Sequence, residues 1–368
     1  MLLKNKSILF LSSEFPPQPG GIGNHAHQLA LALVSEEKKI TVIADRRSFD
    51  GKPEKEFDTR LPFKVERVQR KKIIFLSYFD RFLKSLKLIK SVDTVIASGK
   101  FSLWMVYFLK LFYHKKYIAI IHGSEVLLSN KLLRKFTNSS LIKFDTIIAV
   151  SNYTKSLISD LKLDNITVIP NGFTISEKQT VNSIYKNPEK LNLITVGNVT
   201  QRKGQHNVVR SLPLLLESYP DLQYHIVGIP TEKERIETLA KELGVAKHIT
   251  FHEKVSEDKK WELLVSSSIF IMLSEATSDG DVEGFGIAIL EANGLGIPAI
   301  GSKGCGIEDA INDGFSGVLV DAQQPIEVFN AFAKINNNYI EFSENAIQWS
   351  QNFSWDSIVK QYLKVLDK

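Results

Sequence analysis

Short apolar segments rich in β-branched residues alternate with helical periods along almost the whole chain, and the alternation occurs in two series. In the first, candidate strands at 8–12, 40–44, 65–69, 94–97, 118–121, 146–150 and 167–169 are separated by helical periods at 24–35, 80–90, 101–113, 131–143 and 152–161. Runs this short and this uniformly apolar suit parallel strands covered on both faces. Strand–helix repetition then predicts a doubly wound α/β domain. Residues 173–190 turn polar and lose periodicity, as a linker would. A second series follows, with strands at 193–196, 224–227, 249–251, 269–273, 298–300 and 318–320. Helices at 205–218, 232–243 and 258–266 and a short one from about 287 lie between them, and three more, at 325–334, 339–351 and 355–366, close the chain.

The fold class predicted is therefore α/β, with two Rossmann-like domains facing each other across a cleft. A length of 368 residues agrees, because a single core rarely fills so long a chain. One cysteine excludes an internal disulfide and a cysteine-rich metal site, and fits a reducing compartment. Met1-Leu-Leu-Lys-Asn-Lys lacks the arrangement of a signal peptide, and no apolar run is long enough to cross a bilayer. These features predict a cytoplasmic protein.

Ligands of open α/β sheets bind beyond the carboxyl ends of the strands, which directs attention to the loops there. The first strand runs into Glu14-Phe-Pro-Pro-Gln-Pro-Gly-Gly-Ile-Gly, where Gly20 and Gly21 allow close approach to a ligand; a tight turn would use them equally well. The spacing is not that of a dinucleotide fingerprint, which argues against a nucleotide-dependent oxidoreductase or epimerase. His122 ends the strand at 118–121 and points towards the crevice. Val168-Ile-Pro-Asn-Gly172 turns the chain out of the first domain. Gly197-Asn-Val-Thr-Gln-Arg-Lys-Gly204 follows the first strand of the second domain, and its Arg202 and Lys203 at a helix start suit an anion such as a phosphate. Further on, Glu283-Gly-Phe-Gly-Ile-Ala-Ile-Leu-Glu291 sets two carboxylates seven residues apart. Eight steps at helical rise would separate them by ~12 Å. Cys305, in the late glycine loop 302–306, has no identifiable base beside it and reads as packing.

This combination resembles glycosyltransferase family 4, the retaining nucleotide-sugar glycosyltransferases of the GT-B fold. The motifs that carry the resemblance are Gly20-Gly21, His122-Gly123, Val168–Gly172, Gly197 with Arg202-Lys203-Gly204, and Glu283 with Glu291 around Gly-Phe-Gly. The run Asp281-Val-Glu-Gly-Phe-Gly is similar to the phosphatidylinositol mannosyltransferase branch. The resemblance implies an acceptor-binding domain at 1–172, a linker at 173–190, a nucleotide-sugar-binding domain at 191–350 and a helix at 351–368 returning to the first domain. It also implies residue roles. Arg202 and Lys203 would hold the diphosphate, Glu291 the ribose and Glu283 the donor sugar. The amides of Phe285, Gly286 and Ile287 would lie near phosphate and sugar, and Val255 near the base. His122 would sit by the sugar on the acceptor side, and Gly21 would contact the donor's phosphate or the acceptor. No metal or other cofactor is implied, and the donor suggested is GDP-mannose first and a UDP-sugar second. Two departures stand out: Asn198 replaces an arginine common in the family, and Cys305 breaks the late glycine pair.

Between 67 and 116 basic and aromatic residues interleave, and 78–90 forms a basic amphipathic helical pattern. Such a face suits an anionic membrane surface and a lipid-linked acceptor, although two ordinary packing helices would show the same pattern. No base-reading module accompanies the cations, which argues against nucleic acid. A catalytically silent scaffold on the same fold is the alternative, against which the intact Arg202, Lys203, Glu283 and Glu291 weigh.

Overall fold

The computed structural model describes residues 6–175 and 191–368. The chain divides into two compact units, one of residues 1–172 with 355–368 and the other of residues 173–354.

In the first unit the elements run β1 (Ser7–Ser12), α1 (Gly21–Ser35), β2 (Lys39–Arg46), α2 (Lys52–Asp58), β3 (Lys64–Gln69), α3 (Ile74–Leu88), β4 (Thr94–Ser98), α4 (Lys100–Leu109), β5 (Lys116–Ile121), α5 (Lys131–Leu141), β6 (Thr146–Ala149), α6 (Asn152–Ser156) and β7 (Ile166–Val168). The seven strands form a sheet in the order β3-β2-β1-β4-β5-β6-β7, and every pairing is parallel. Ile8, Leu9, Phe10 and Leu11 of the central strand are all inaccessible to solvent, which explains their uninterrupted apolar run.

The second unit repeats the plan with β8 (Asn192–Val196), α7 (Gln205–Ser218), β9 (Gln223–Val227), α8 (Lys233–Glu242), β10 (Ile249–Glu253), α9 (Glu257–Val265), β11 (Ile269–Met272), α10 (Ile287–Asn293), β12 (Ala299–Ser302), β13 (Gly317–Val320), α11 (Pro325–Asn337) and α12 (Tyr339–Ser350). Its six strands are ordered β10-β9-β8-β11-β12-β13, again all parallel. The 3-10 turn Gln351–Phe353 stays with this unit, where the Phe173 amide donates to the Phe353 carbonyl. The last helix, α13 (Trp355–Asp367), packs on α1 of the first unit. Lys6 and Lys116 donate to its final carbonyls, those of Leu366 and Val365, both at 2.5 Å. Cations at a helix C-terminus satisfy orphan acceptors and complement the dipole.

Three local expectations differ from the structure. Helix α2 has no apolar stripe to announce it; Pro53 lies in its first turn, and the residue it buries is Glu54, whose carboxylate accepts from the Arg47 and Ser48 amides. Helix α3 begins at Ile74, not near residue 80, because Ile74, Phe75, Leu76 and Phe79 point outward and conceal the period. Helix α10 starts at Ile287, where the sequence places it, but Glu283 lies outside it and the ~12 Å from helical rise does not describe the pair. Most of the linker at 173–190 lies outside the described residues.

Candidate functional site

Strand order in the second unit reverses between β8 and β11, so the loops leaving these two strands bound its crevice. The loop after β8 is shaped by its glycines. A Cβ on Gly204, which has φ of +70°, would stand 1.7 Å from the Leu273 carbonyl oxygen at the end of β11. Nothing larger than glycine lets the 3-10 turn Gln201–Lys203 sit so close to that strand end. The contact is held by the Glu275 amide, which donates to the Arg202 carbonyl at 3.0 Å. Glu275 also accepts from the side chains of Gln201 at 3.0 Å and Asn207 at 3.3 Å, and faces His206 at 3.3 Å. The stem of Lys203 lies over Gly197, where a Cβ would approach its Cε to 3.1 Å.

Arg202 and Lys203 converge on one carboxylate oxygen. Lys203 Nζ lies 2.7 Å from Glu283 Oε2, and the Arg202 guanidinium donates to the same atom while its Nε reaches Asp281 Oδ2 at 2.9 Å. Burial alone would raise the Glu283 carboxyl, but Lys203 and Arg202 outweigh it and hold the group below its ordinary value. Arg202 is correspondingly held up: burial opposes its charge, and Glu283 with Asp281 prevails. Oε1 of Glu283 takes part in neither ion pair. Its backbone carbonyl accepts from the Gly306 amide at 2.9 Å, and a Cβ at Gly306 would meet the Gly284 carbonyl at 2.0 Å. The glycine loop after β12 thus braces the Glu283 segment. Cys305 is buried there, 3.4 Å from Ser302 Oγ, with its thiol pushed up by burial.

Phe285 is buried against Phe353, leaving only its backbone for a ligand. Gly286, at φ +100°, turns the chain into α10. Glu291 stands on that helix apart from the Glu283 cluster, in an ion pair with Lys260 Nζ at 3.3 Å. Burial pushes the Glu291 carboxyl up, against the pull of Lys260. Lys260, which also meets Glu257 at 2.8 Å, was not singled out in the sequence; its only signal is a lysine pair on the helix after β10. Glu275 was missed as well, and Asp281 figures in the sequence only as part of the run 281–286, with no role of its own. Val255 is half-buried in the β10–α9 loop.

The remaining predicted residues belong to the first unit. His122 is half-buried at the end of β5, 2.9 Å from Ser98 Oγ, and its ring meets that of His25 at 5.1 Å between centroids. Burial pulls the His122 imidazole down to about 4. The Glu125 carboxylate accepts the His122 amide at 2.5 Å, and burial pushes this carboxyl up to about 7. His25 is fully enclosed, 3.2 Å from the Tyr362 hydroxyl of α13. Gly21 opens α1, with nothing within 4 Å of a Cβ built there, so the local packing does not require glycine and space for a ligand remains.

The Glu125 carboxyl holds its proton more tightly in the folded chain, so its stabilising contribution is complete below about 4.5 and disappears as pH rises through about 7. Glu125→Gln removes that loss, so urea unfolding should show the variant gaining on the wild type between pH 5 and pH 8. His122 works in the opposite sense as pH falls from 6.5 to about 4, and does so in both proteins. Parallel pH dependences in the two chains would contradict the assignment.

Comparison with known proteins agrees with this architecture. The description "Glycosyltransferase Family 4" matches residues 19–177 and "Glycosyl transferases group 1" matches residues 176–353. A GDP-mannose-dependent alpha-(1-6)-phosphatidylinositol monomannoside mannosyltransferase of Mycolicibacterium smegmatis is 24% identical over 333 residues, 85% of each chain. Among solved structures, sucrose-phosphate synthase of Thermosynechococcus elongatus superposes with a TM-score of 0.79 at 17% identity, over 98% of both chains. The Anabaena protein HepE, crystallised with UDP and glucose, gives 0.78 at 18% identity, over 99% of this chain and 100% of its own. Two family descriptions in tandem, on two parallel-sheet units with the ion cluster at the second switch point, place the chain in glycosyltransferase family 4, as a nucleotide-sugar glycosyltransferase of the GT-B fold.

Proposed function

We propose that the protein is a retaining hexosyltransferase that works without a metal ion, taking its sugar from GDP-mannose in the first instance and from a UDP-sugar in the second. The observation that carries this reading is the convergence of Arg202 and Lys203 on Glu283 where β8 and β11 diverge. Arg202 and Lys203 bind the diphosphate and stabilise the charge that grows on it as the glycosidic bond breaks. Glu283, with Oε1 outside its ion pairs, accepts hydroxyls of the donor sugar, and Glu291 accepts the ribose. The amides of Phe285, Gly286 and Ile287 face phosphate and sugar, and Val255 lies beside the base. Of the first unit's residues, His122 serves the sugar and Gly21 the donor's phosphate or the acceptor. The acceptor oxygen bonds to the anomeric carbon on the face the diphosphate leaves, and its proton passes to the departing phosphate oxygen. GDP-mannose comes first because the M. smegmatis relative is named for it. UDP comes second because HepE was crystallised with it.

The acceptor proposed is a lipid-linked or glycan chain in cell-envelope polysaccharide or glycolipid synthesis, met at the inner face of the plasma membrane. Helices α3 and α5 and the turn after α4 expose Phe75, Phe79, Leu111, Phe112 and Leu132, which suits shallow insertion. The charge on this face is smaller than the sequence suggests. Arg81 is buried, Lys71 pairs with Asp80 at 2.5 Å, and Lys84 pairs with Glu66 at 3.0 Å. Among the described residues no helix is long and apolar enough to cross a membrane. Phe75→Ser with Phe79→Ser should reduce sedimentation with anionic vesicles several-fold; unchanged sedimentation would remove the membrane from the proposal.

The test of the activity is incubation with GDP-mannose, UDP-glucose and UDP-galactose beside lipid extracts, with nucleotide release and product anomer followed by NMR. Release of one nucleotide with retained configuration is expected. No release from any donor, or an inverted product, would contradict the reading. Gly197→Ala should weaken donor binding by roughly ten-fold or more, because displacing Lys203 by even a fraction of an ångström disturbs the phosphate contacts. Calorimetry on the variant checks this.

A further inference from the structure

Outside the ion cluster of the second unit, the first unit contains a cavity of about 210 Å³ beyond the carboxyl ends of β1, β2 and β3. Arg47, Arg70 and Arg81 line it, together with Ser77, Tyr78 and Phe101. Arg81 is 1% exposed, and its guanidinium donates to Asp45, itself buried. The Nε and Nη1 atoms of Arg81 are buried without a hydrogen-bond partner. Orphaned donors on a buried cation are costly, and native structures fill such positions with water or a ligand.

The surroundings suit an oxyanion. Arg47 and Arg70 form no ion pair among the described residues, and both are exposed at the cavity mouth. The Arg47 amide is fixed by Glu54 at 2.9 Å, and the Arg70 amide donates to the Arg46 carbonyl at 3.2 Å, so both backbones are anchored. Glu14 and Asp45 are the carboxylates in the lining, and Asp45 is engaged by Arg81. Three guanidinium groups against two carboxylates leave the lining with one net positive charge, attractive to an anion. Tyr78 meets Phe101 at 4.6 Å between ring centroids, the planes tilted by 35°, and the two form an aromatic wall beside the guanidinium of Arg81. Arginine forks match phosphate oxygens in paired hydrogen bonds.

We propose that this cavity binds a phosphate ester on the acceptor, with Arg81 as the buried fork and Arg70 and Arg47 closing over the remaining oxygens. The inference rests on the glycosyltransferase reading only for calling the ligand an acceptor; the anion site itself stands on the first unit alone. A phosphorylated acceptor would be oriented by its phosphate while the hydroxyl to be glycosylated remains free.

The test uses the full chain carrying Lys203→Ala, which weakens the anion site of the second unit, and titrates inorganic phosphate by calorimetry. Binding should persist in Lys203→Ala and fall by roughly ten-fold or more when Arg70→Gln is added, the loss expected for one charge-assisted hydrogen bond. Arg47→Gln should act in the same direction. Arg81→Gln risks misfolding beside Asp45, so the two exposed positions carry the test. Glycerol 3-phosphate and phosphatidylglycerol vesicles in a phosphatidylcholine background then separate a soluble monoester from a lipid phosphodiester. Binding of either that is lost with Arg70→Gln supports the site and names its source. Absence of phosphate binding in Lys203→Ala, or binding unchanged by both arginine variants, overturns it. Donor binding by the otherwise wild-type chain carrying Arg70→Gln reports separately on the glycosyltransferase reading.

Discussion

Lys203→Ala should lower turnover by about 10²–10³, the cost of removing one fixed positive group from a site where charge develops on the leaving group. The fold should survive. Glu283 keeps Arg202 as a partner, so its carboxylate is not stranded, and the stability loss stays below the ~3–5 kcal/mol of a buried charge left with no partner. A cooperative unfolding transition with collapsed turnover is therefore the expected pair of results. Lys203→Arg should not restore full activity, because the stem of Lys203 is laid along Gly197 and a planar fork would not follow the same path. Turnover near the wild-type level in Lys203→Ala would remove the leaving-group role.

The largest effect on stability belongs to Gly204. At φ +70° an alanine costs roughly 1–2 kcal/mol in backbone strain. The clash adds more, because a Cβ 1.7 Å from the Leu273 oxygen forces either the β11 end or the Arg202 turn to move. Overpacking of this kind adds ~1–3 kcal/mol. Gly204→Ala should thus lose roughly 2–5 kcal/mol in chemical denaturation and lose donor binding with it. Gly304→Ala provides the control: its φ is also positive, +76°, but a Cβ there meets nothing within 4 Å. It should lose only the strain. Equal losses in the two variants would show that the contact with β11 contributes nothing.

The parallel strands were legible because they are covered on both faces, which leaves continuous apolar runs such as Ile8–Leu11 in the sequence. Helix α7 was legible to the residue, since Gly204 marks its start and its apolar period persists through Pro213. Helix α2 was not, because what it buries is a carboxylate tied to neighbouring amides. At the candidate site, the sequence supplied residue types and loop positions but not pairings. Arg202 and Glu283 are 81 residues apart, and Lys260 and Glu291 are 31 apart, so neither ion pair follows from local spacing. The image of Glu283 and Glu291 on one helix gave way to two separate clusters. Likewise Asp45 and Arg81, 36 residues apart, meet only in the fold.

The account rests on Arg202 and Lys203 forming the seat of a nucleoside diphosphate sugar. The most direct measurement is a thermal-shift series with GDP-, UDP-, ADP- and dTDP-sugars on the wild type and on Arg202→Gln with Lys203→Gln. A ligand that binds only the folded state raises the midpoint, by an amount equivalent to about 2.7 kcal/mol at a hundred times its Kd. One nucleotide class should raise the wild-type midpoint and leave that of the double variant unmoved. A shift of equal size in both proteins, or none with any sugar nucleotide, would contradict the account.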